Sequence, residues 1–216
     1  MSSHRLPIAA LATVALVACG PRNNVRHAGA PTTTTVATTS AQPPSVAATM
    51  LSDADNPTGD PSFKYSAAAL GKEPPEITVD DWVGTEQPLL LRNEIGKVVL
   101  LAFCRLDDPR CAPAEAMLRE LRDSHPSGDF VVVELFTDSA YDRDAWMLVR
   151  KQIADRNLGW PAGYGNKVQY AVLRYGFKDV PAAYLIDADG KVVWSGVPST
   201  MSTLKKAVDT LVKQGP

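Results

Sequence analysis

The segment from Val98 to Cys111 constrains the fold of this chain more than any other. Six consecutive apolar residues, Val98 to Phe103, are followed by Cys104, and a second cysteine, Cys111, lies where helical periodicity begins. A continuous apolar run of this length is typical of a strand that is buried on both faces of a sheet. Because the N-terminal end of a helix carries partial positive charge, it lowers the pKa of a thiol placed there. The sequence therefore predicts a strand that delivers a thiol to the start of a helix.

Predicted helices and strands alternate along the rest of the folded region. Apolar periodicity predicts helices at 109–124, 141–156 and 167–175, and strands at 130–136, 183–186 and 191–195. The last two strands form a hairpin around the turn Asp187-Ala188-Asp189-Gly190, and an amphipathic helix follows them. This order predicts an α/β domain over residues 76–216, with a central mixed β-sheet flanked by helices.

Two sequence blocks resemble the redoxin, or TlpA-like, branch of the thioredoxin superfamily. The first consists of Trp82-Val83-Gly84, Pro88-Leu89-Leu90-Leu91 and Gly96-Lys97-Val98-Val99-Leu100-Leu101. The second consists of Val180-Pro181, Tyr184-Leu185-Ile186-Asp187 and Gly190-Lys191-Val192-Val193. The resemblance implies a thioredoxin-like fold, a cis peptide bond before Pro181 and thiol-disulfide chemistry beside that proline.

The resemblance also implies a site that departs from the family pattern. The usual Cys-x-x-Cys reads Asp108-Pro109-Arg110-Cys111, so Cys111 takes the place of the second, resolving cysteine and Asp108 that of the nucleophile. Cys104 stands where many members have Trp, and Ala102 where thioredoxins have a buried Asp. Cys111 and Cys104 are therefore the candidate catalytic residues, and the residues expected to flank the site are Asp108, Pro109, Arg110, Val180 and Pro181.

Asp108 has a structural interpretation of its own. Asp is a preferred N-cap and Pro is favoured at the first helical position, so Asp108 and Pro109 predict the start of the helix. A carboxylate cannot attack a disulfide, and its charge raises the pKa of a neighbouring thiol. The side chains of Arg105 and Arg110 would have the opposite effect on that thiol if they lay close to it.

The relation between Cys104 and Cys111 is left open by the sequence. If the protein is exported, the oxidising environment favours a disulfide between them. Alternatively, the two thiols are separate and Cys104 is a small buried apolar residue at the end of the strand. Metal binding by two cysteines and a histidine would need His125, which we expect to be solvated on a loop after the first helix. We therefore predict no metal site and no cofactor.

The N-terminus predicts export and lipid attachment. Residues 1–18 have a short positive start and an apolar run that suits a signal peptide but is too short to span a bilayer. Leu16-Val17-Ala18-Cys19 resembles the bacterial lipobox, which implies lipidation of Cys19 in the cell envelope. Gly20 in place of Asp indicates the outer membrane, on its periplasmic side, if the cell is Gram-negative. Residues 19–75 are rich in Thr, Ala and Pro and predict a flexible tether.

Charge and composition restrict the classes of molecule that this protein could bind. The net charge is −2, and no basic stripe of the kind that binds nucleic acid is present. Contact with the membrane would come from the lipid on Cys19 alone. Two functions remain: a lipid-anchored oxidoreductase with weak or altered chemistry that acts on thiols or disulfides of envelope proteins, or an inactive module that binds an extended peptide segment in the groove beside Pro181.

Overall fold

A computed structural model describes residues 68–140, 142–198 and 201–214 of the 216-residue chain. Within these residues six strands form one mixed sheet in the order β1-β4-β3-β2-β5-β6. The strands are β1 (Asp81–Val83), β2 (Val98–Cys104), β3 (Phe130–Phe136), β4 (Ala162–Tyr164), β5 (Ala182–Ile186) and β6 (Val192–Gly196). Strands β2, β3 and β4 run parallel, and the remaining pairings are antiparallel. The predicted mixed sheet is confirmed.

Four α-helices accompany the sheet in the described residues: α1 (Cys111–Ser124), α2 (Arg143–Asp155), α3 (Val168–Tyr175) and α4 (Met201–Gln214). Helix α2 begins after Asp142, whose carboxylate accepts a hydrogen bond from the Ala145 N–H. Helix α3 ends at Gly176, which has a φ of 73° and forms the left-handed cap for which glycine is favoured. Among the helices of the described residues, none combines the length and apolar character that a bilayer crossing requires.

Strand β2 is buried on both faces, as its apolar run predicted. Val98, Leu100, Ala102 and Cys104 pack in one core cluster together with residues of α1 and α4. Val99, Leu101 and Phe103 pack in a second cluster with residues of α3. This alternation places Cys104 at the carboxyl end of β2, on the face that α1 covers.

The packed domain begins earlier than the boundary at 76 that composition indicated. Ala68 is buried, the Gly71 N–H donates to the Val192 carbonyl, and the Val192 N–H donates to the Lys72 carbonyl. Residues 68–75 therefore belong to the folded body, because they supply hydrogen bonds to β6. The predicted signal peptide, Cys19 and the tether up to residue 67 lie outside the described residues.

Candidate active site

The two cysteines meet at the carboxyl end of β2. Cys104 is the last residue of that strand, Cys111 is the first residue of α1, and both are free thiols with no exposed surface. The two thiols interact, and Cys104 acts as a hydrogen-bond donor to the Cys111 sulfur when Cys111 is ionised. The backbone N–H of Arg105 also points to that sulfur, with 3.3 Å between N and Sγ. The structure thus brings together the two sulfurs that the sequence could only place on neighbouring elements.

The two thiols have opposite pKa shifts. The hydrogen bond to Cys111, burial and the charge of Glu134 all raise the pKa of the Cys104 thiol far above its ordinary value. The same hydrogen bond and the Arg105 N–H lower the pKa of Cys111, and they outweigh burial and the nearby charge of Asp108. Cys111 is therefore the thiol that ionises first, and Cys104 keeps its proton.

Asp108 does not cap α1, so that expectation is wrong. The helix begins at Cys111, and the residue before it, Arg110, has helical dihedrals and makes no side-chain cap. The Asp108 carboxylate accepts from the Arg110 N–H at 2.9 Å, and its backbone carbonyl accepts from the Cys111 N–H at 3.0 Å. Asp108 therefore stabilises a separate turn just ahead of the helix. Its side chain is engaged by the Arg110 guanidinium, which contributes to lowering the pKa of Asp108 to about 2.

Arg110 also links this turn to the loop that carries Pro181. Its guanidinium donates to both carboxylate oxygens of Asp179, with N–O distances of 2.8 and 3.0 Å. Asp179 directly precedes the Val180–Pro181 peptide bond, which is cis as predicted. We call the Asp108–Arg110–Asp179 ion pairs the Arg110 clamp. The clamp fastens together the two loops that border the thiols.

A small cleft lies beside the clamp. Its volume is about 210 Å³, and its lining residues include Arg105, Thr137, Gln169, Phe177, Lys178 and Val180. Val180 is buried there, with 6% of its surface exposed. The cleft is large enough for one side chain of a bound segment and lies along the cis-proline loop.

A buried carboxylate lies on the strand next to Ala102. Glu134 on β3 pairs with Ala102 in the parallel ladder and has no exposed surface. Burial and the negative charge of Glu115 raise the pKa of Glu134 to about 7. Sequence reasoning missed this residue, although a single acidic residue inside the apolar run 130–136 was the available signal.

Two further expectations concern charged side chains. The Arg105 guanidinium bonds Asp107 at 2.6 Å, so it is the backbone of Arg105 rather than its charge that supports the Cys111 thiolate. His125 lies at the opposite end of α1 and is not solvated: its side chain is 10% exposed, with Nδ1 against the Leu121 carbonyl and Nε2 against Asp209. The described residues contain no group of three side chains that could hold a metal ion.

Similarity to known proteins agrees with this arrangement. No family model matches the sequence. The chain is 30% identical over 124 residues to the thiol-disulfide oxidoreductase ResA of Bacillus thuringiensis, an alignment that covers 57% of this chain and 67% of that protein. The chain belongs to the thioredoxin-like thiol-disulfide oxidoreductase family. Where the resemblance places the family's Cys-x-x-Cys, this chain has Asp108-Pro109-Arg110-Cys111, and the second cysteine of the described residues is Cys104.

Solved structures show the same fold. A thioredoxin-like superfamily protein superposes with a TM-score of 0.59 and 19% identity, over 68% of this chain and all of the other. The thioredoxin domain of a thiol-disulfide oxidoreductase from Bacteroides vulgatus superposes with a TM-score of 0.55 and 22% identity, over 67% of this chain and 98% of that domain. At these identities the likeness concerns the fold, which is thioredoxin-like as the sequence predicted.

Proposed function

We propose that this chain performs thiol-disulfide exchange with Cys111 as the nucleophile and Cys104 as the resolving thiol. The observation that carries the proposal is the meeting of two buried thiols at the carboxyl end of β2, where the Cys111 sulfur, at the first residue of α1, accepts the Arg105 N–H at 3.3 Å. The nucleophile occupies the position that the family pattern gives to the resolving cysteine. Its partner comes from the end of β2 and not from the turn before the helix.

The exchange balances without a cofactor. The Cys111 thiolate attacks one sulfur of a substrate disulfide, the other substrate sulfur leaves as a thiolate, and a mixed disulfide forms. Cys104 then loses its proton and attacks the Cys111 sulfur, which releases the second substrate thiolate. The substrate is reduced, and the protein is left with a Cys104–Cys111 disulfide. In the reverse direction that disulfide is passed on to a pair of substrate thiols.

The substrates we propose are cysteine thiols or disulfides of other envelope proteins, presented on an extended segment beside Pro181. The cleft along the cis-proline loop supports this choice, since it accommodates one side chain of such a segment. Export through residues 1–18 and a lipid on Cys19 would hold the domain at the membrane, on the periplasmic side of the outer membrane in a Gram-negative cell.

A second candidate is a binding module without redox activity. The observation in its favour is that neither sulfur has exposed surface, while Asp108 takes the place that the resemblance gives to the nucleophilic cysteine. In this case the cleft beside Pro181 would bind a partner's extended segment, and the thiols would be core residues.

Turnover by cysteine variants separates the two candidates. In the full chain carrying Cys19→Ser, so that Cys104 and Cys111 are the remaining thiols, we expect reduction of glutathione disulfide to be lost in Cys111→Ser. The Cys104→Ser control should still form a mixed disulfide at Cys111 but should not resolve it. Asp108→Cys should raise turnover, because it restores a Cys-x-x-Cys. Turnover that persists unchanged in Cys111→Ser would exclude the proposed chemistry.

A further inference from the structure

We propose that Glu134 is the general base that takes the proton from Cys104 when the mixed disulfide is resolved. This inference rests on the proposed function and assigns a role to a residue outside the Cys104–Cys111 segment. A base is needed at this step because the Cys104 thiol has no exposed surface and therefore cannot lose its proton directly to bulk water.

The strand register places the carboxylate beside the thiol. Glu134 pairs with Ala102, and two residues further along the same ladder Phe136 pairs with Cys104. Residues two apart in a strand lie on the same face, so Glu134 is on the face that carries Cys104. Ala102 is the smallest side chain that β2 offers on this face, and it leaves room for the longer glutamate across the ladder. The charge of Glu134 acts on Cys104 directly, since it is one of the causes that raise the pKa of that thiol.

One carboxylate oxygen is held by an indole, and the group as a whole interacts with the Cys104 thiol. Oε2 accepts a hydrogen bond from the Trp160 indole N–H at 3.1 Å, which fixes the orientation of the group. Oε1 is buried and accepts from no N–H or O–H in the described part of the chain. The Cys104 thiol acts on the carboxylate as a hydrogen-bond donor. Because buried polar atoms are nearly always satisfied, this thiol is the partner available to the carboxylate, and a proton shared between them can be transferred.

The charged and titratable groups around Glu134 come from three other segments. Cys104 approaches from β2, Glu115 from α1, and Arg156 from the residue that follows α2. Glu115 and Arg156 form an ion pair with each other, so Glu134 lacks a dedicated counter-ion. Burial and the Glu115 charge raise its pKa to about 7, against the smaller effects of Trp160, Cys104 and Arg156. A base with a pKa in this range is both ionised and able to accept a proton near neutral pH.

The proposed step transfers the proton of Cys104 and shifts two electron pairs. The Cys104 proton passes to Glu134 Oε1, and the sulfur's electron pair forms the bond to the Cys111 sulfur. The bond between Cys111 and the substrate sulfur breaks, and its electron pair leaves with the substrate as a thiolate, which takes a proton from water. Glu134 returns to the carboxylate form when the site opens and its proton can exchange with solvent.

The resolving step can be observed alone. The full chain with Cys19→Ser is loaded at acidic pH with thionitrobenzoate on Cys111, and the release of the coloured thiolate is followed after jumps to higher pH. We expect the rate to rise with pH through a midpoint near 7, the pKa of Glu134, and then to level off. Glu134→Gln should release thionitrobenzoate more slowly by on the order of 10²-fold at neutral pH. It should also lose the midpoint near 7, with a rate that continues to rise in alkali.

Two further variants separate a base from a structural residue. Glu115→Gln removes a negative charge near Glu134, so the midpoint should move to lower pH while release remains fast. In Glu134→Ala with Ala102→Asp, a carboxylate placed across the ladder should restore part of the lost rate. If Glu134 had only a structural role, these variants would change the stability of the protein but would neither shift the midpoint nor restore the rate.

The outcomes that overturn the inference differ from those that overturn the proposed function. Release in Glu134→Gln with the wild-type rate and midpoint would exclude Glu134 as the base, and so would an unmoved midpoint in Glu115→Gln. Neither result would contradict the proposed thiol-disulfide exchange at Cys111. If no mixed disulfide formed at Cys111 at all, the proposed function and this inference would be rejected together.

Discussion

Glu134 is the residue whose surroundings differ most from those its side chain prefers. It is fully buried, its one hydrogen bond from an N–H in the described residues comes from the Trp160 indole, and no cation there is paired with it alone. Burial disfavours the charged form, which is why the pKa of Glu134 rises from 4.5 to about 7. The ionised carboxylate therefore costs the folded protein free energy that the unfolded chain does not lose.

This cost predicts the sign of a pH effect on stability. Because the folded pKa lies above the unfolded one, the stability associated with Glu134 is complete below about pH 4.5 and declines as pH rises to about 7. Relative to Glu134→Gln, the wild type should lose about 3 kcal/mol of unfolding free energy across this range. Urea unfolding of both proteins at several pH values measures the difference.

An exposed glutamate provides the control for this measurement. Glu86 is exposed, so Glu86→Gln should leave the pH dependence of unfolding as it is in the wild type. If the difference between wild type and Glu134→Gln were independent of pH, Glu134 would titrate alike in the folded and unfolded states. Its raised pKa, and its role as a base, would then be wrong.

The sequence was informative about residues whose role depends on near neighbours in the chain. Cys111 could be placed because it follows a buried strand and opens a helix, and Pro181 because its flanking strand has a characteristic pattern. Glu134 and Asp179 could not be placed, because their partners are distant in sequence. Trp160 is 26 residues from Glu134, and Arg110 is 69 residues from Asp179. Such contacts follow from the ladder register and the loop packing, which a single sequence does not specify.

At the scale of elements, the turn between β2 and α1 is held from several sides. The Leu106 N–H donates to Asp138 at 3.0 Å, and its carbonyl accepts from Arg156 at 2.8 Å. The Arg110 clamp fastens the other end of the turn to the cis-proline loop. These contacts explain why neither sulfur has exposed surface, and they imply that exchange requires this turn or the cis-proline loop to move.

Loosening the clamp should expose Cys111 more often. Asp179→Ala removes the link to the cis-proline loop and leaves the Asp108–Arg110 pair in place. The lost ion pair joins side chains that are 54% and 66% exposed, so it contributes at most about 1 kcal/mol. We expect iodoacetamide to alkylate Cys111 about 2- to 5-fold faster in this variant, measured by mass spectrometry on the Cys19→Ser chain.

Asp107→Ala is the matched control for this experiment. Asp107 pairs with Arg105 on the same turn, at 2.6 Å, but does not contact the cis-proline loop. Its removal should leave the alkylation rate close to that of the parent chain. Equal rates in Asp179→Ala and the parent would show that the clamp does not limit access to the thiol.

The helices and strands also show which elements can be predicted from the pattern of apolar residues. Strand β3 matches the predicted range 130–136 residue for residue. Its apolar run has the length of a typical strand and is too short for a typical helix, so it predicted a strand. Strands β1 and β4 were missed, since each has three residues and too few positions to show a period. The first helix begins at Cys111 and not at 109, because Asp108 and Arg110 form a turn of their own.

At the scale of the whole domain, the sheet connects the state of the thiols to global stability. Cys104 ends a strand in the middle of the sheet, between β3 and β5, and Cys111 begins the helix that covers it. Oxidation therefore joins two elements of the core. A difference in unfolding free energy between the oxidised and reduced proteins equals a difference in redox potential between the folded and unfolded couples, because the four states form a closed cycle.

Loop closure and thiol ionisation have opposite effects on the difference in unfolding free energy between the oxidised and reduced proteins. Closing an eight-residue loop stabilises the oxidised protein by about 2.5 kcal/mol through the entropy of the unfolded chain, provided that the bridge adds no strain. The reduced protein gains stability as pH rises from the lowered pKa of Cys111 towards 9.0, because its folded state holds the thiolate more readily than the unfolded chain does. The advantage of the oxidised form should therefore be largest at acidic pH and shrink as pH rises towards 9.0.

Guanidinium unfolding of the Cys19→Ser chain, oxidised and reduced, at a series of pH values measures this advantage directly. A positive advantage of about 2.5 kcal/mol at acidic pH places the folded couple about 50 mV below the unfolded one, which favours a protein that donates electrons to substrate disulfides. A reduced form that is the more stable one at every pH would contradict this expectation. It would mean that the fold strains the bridge and raises the potential of the couple above that of the unfolded chain, which favours a protein that passes its disulfide on to substrate thiols.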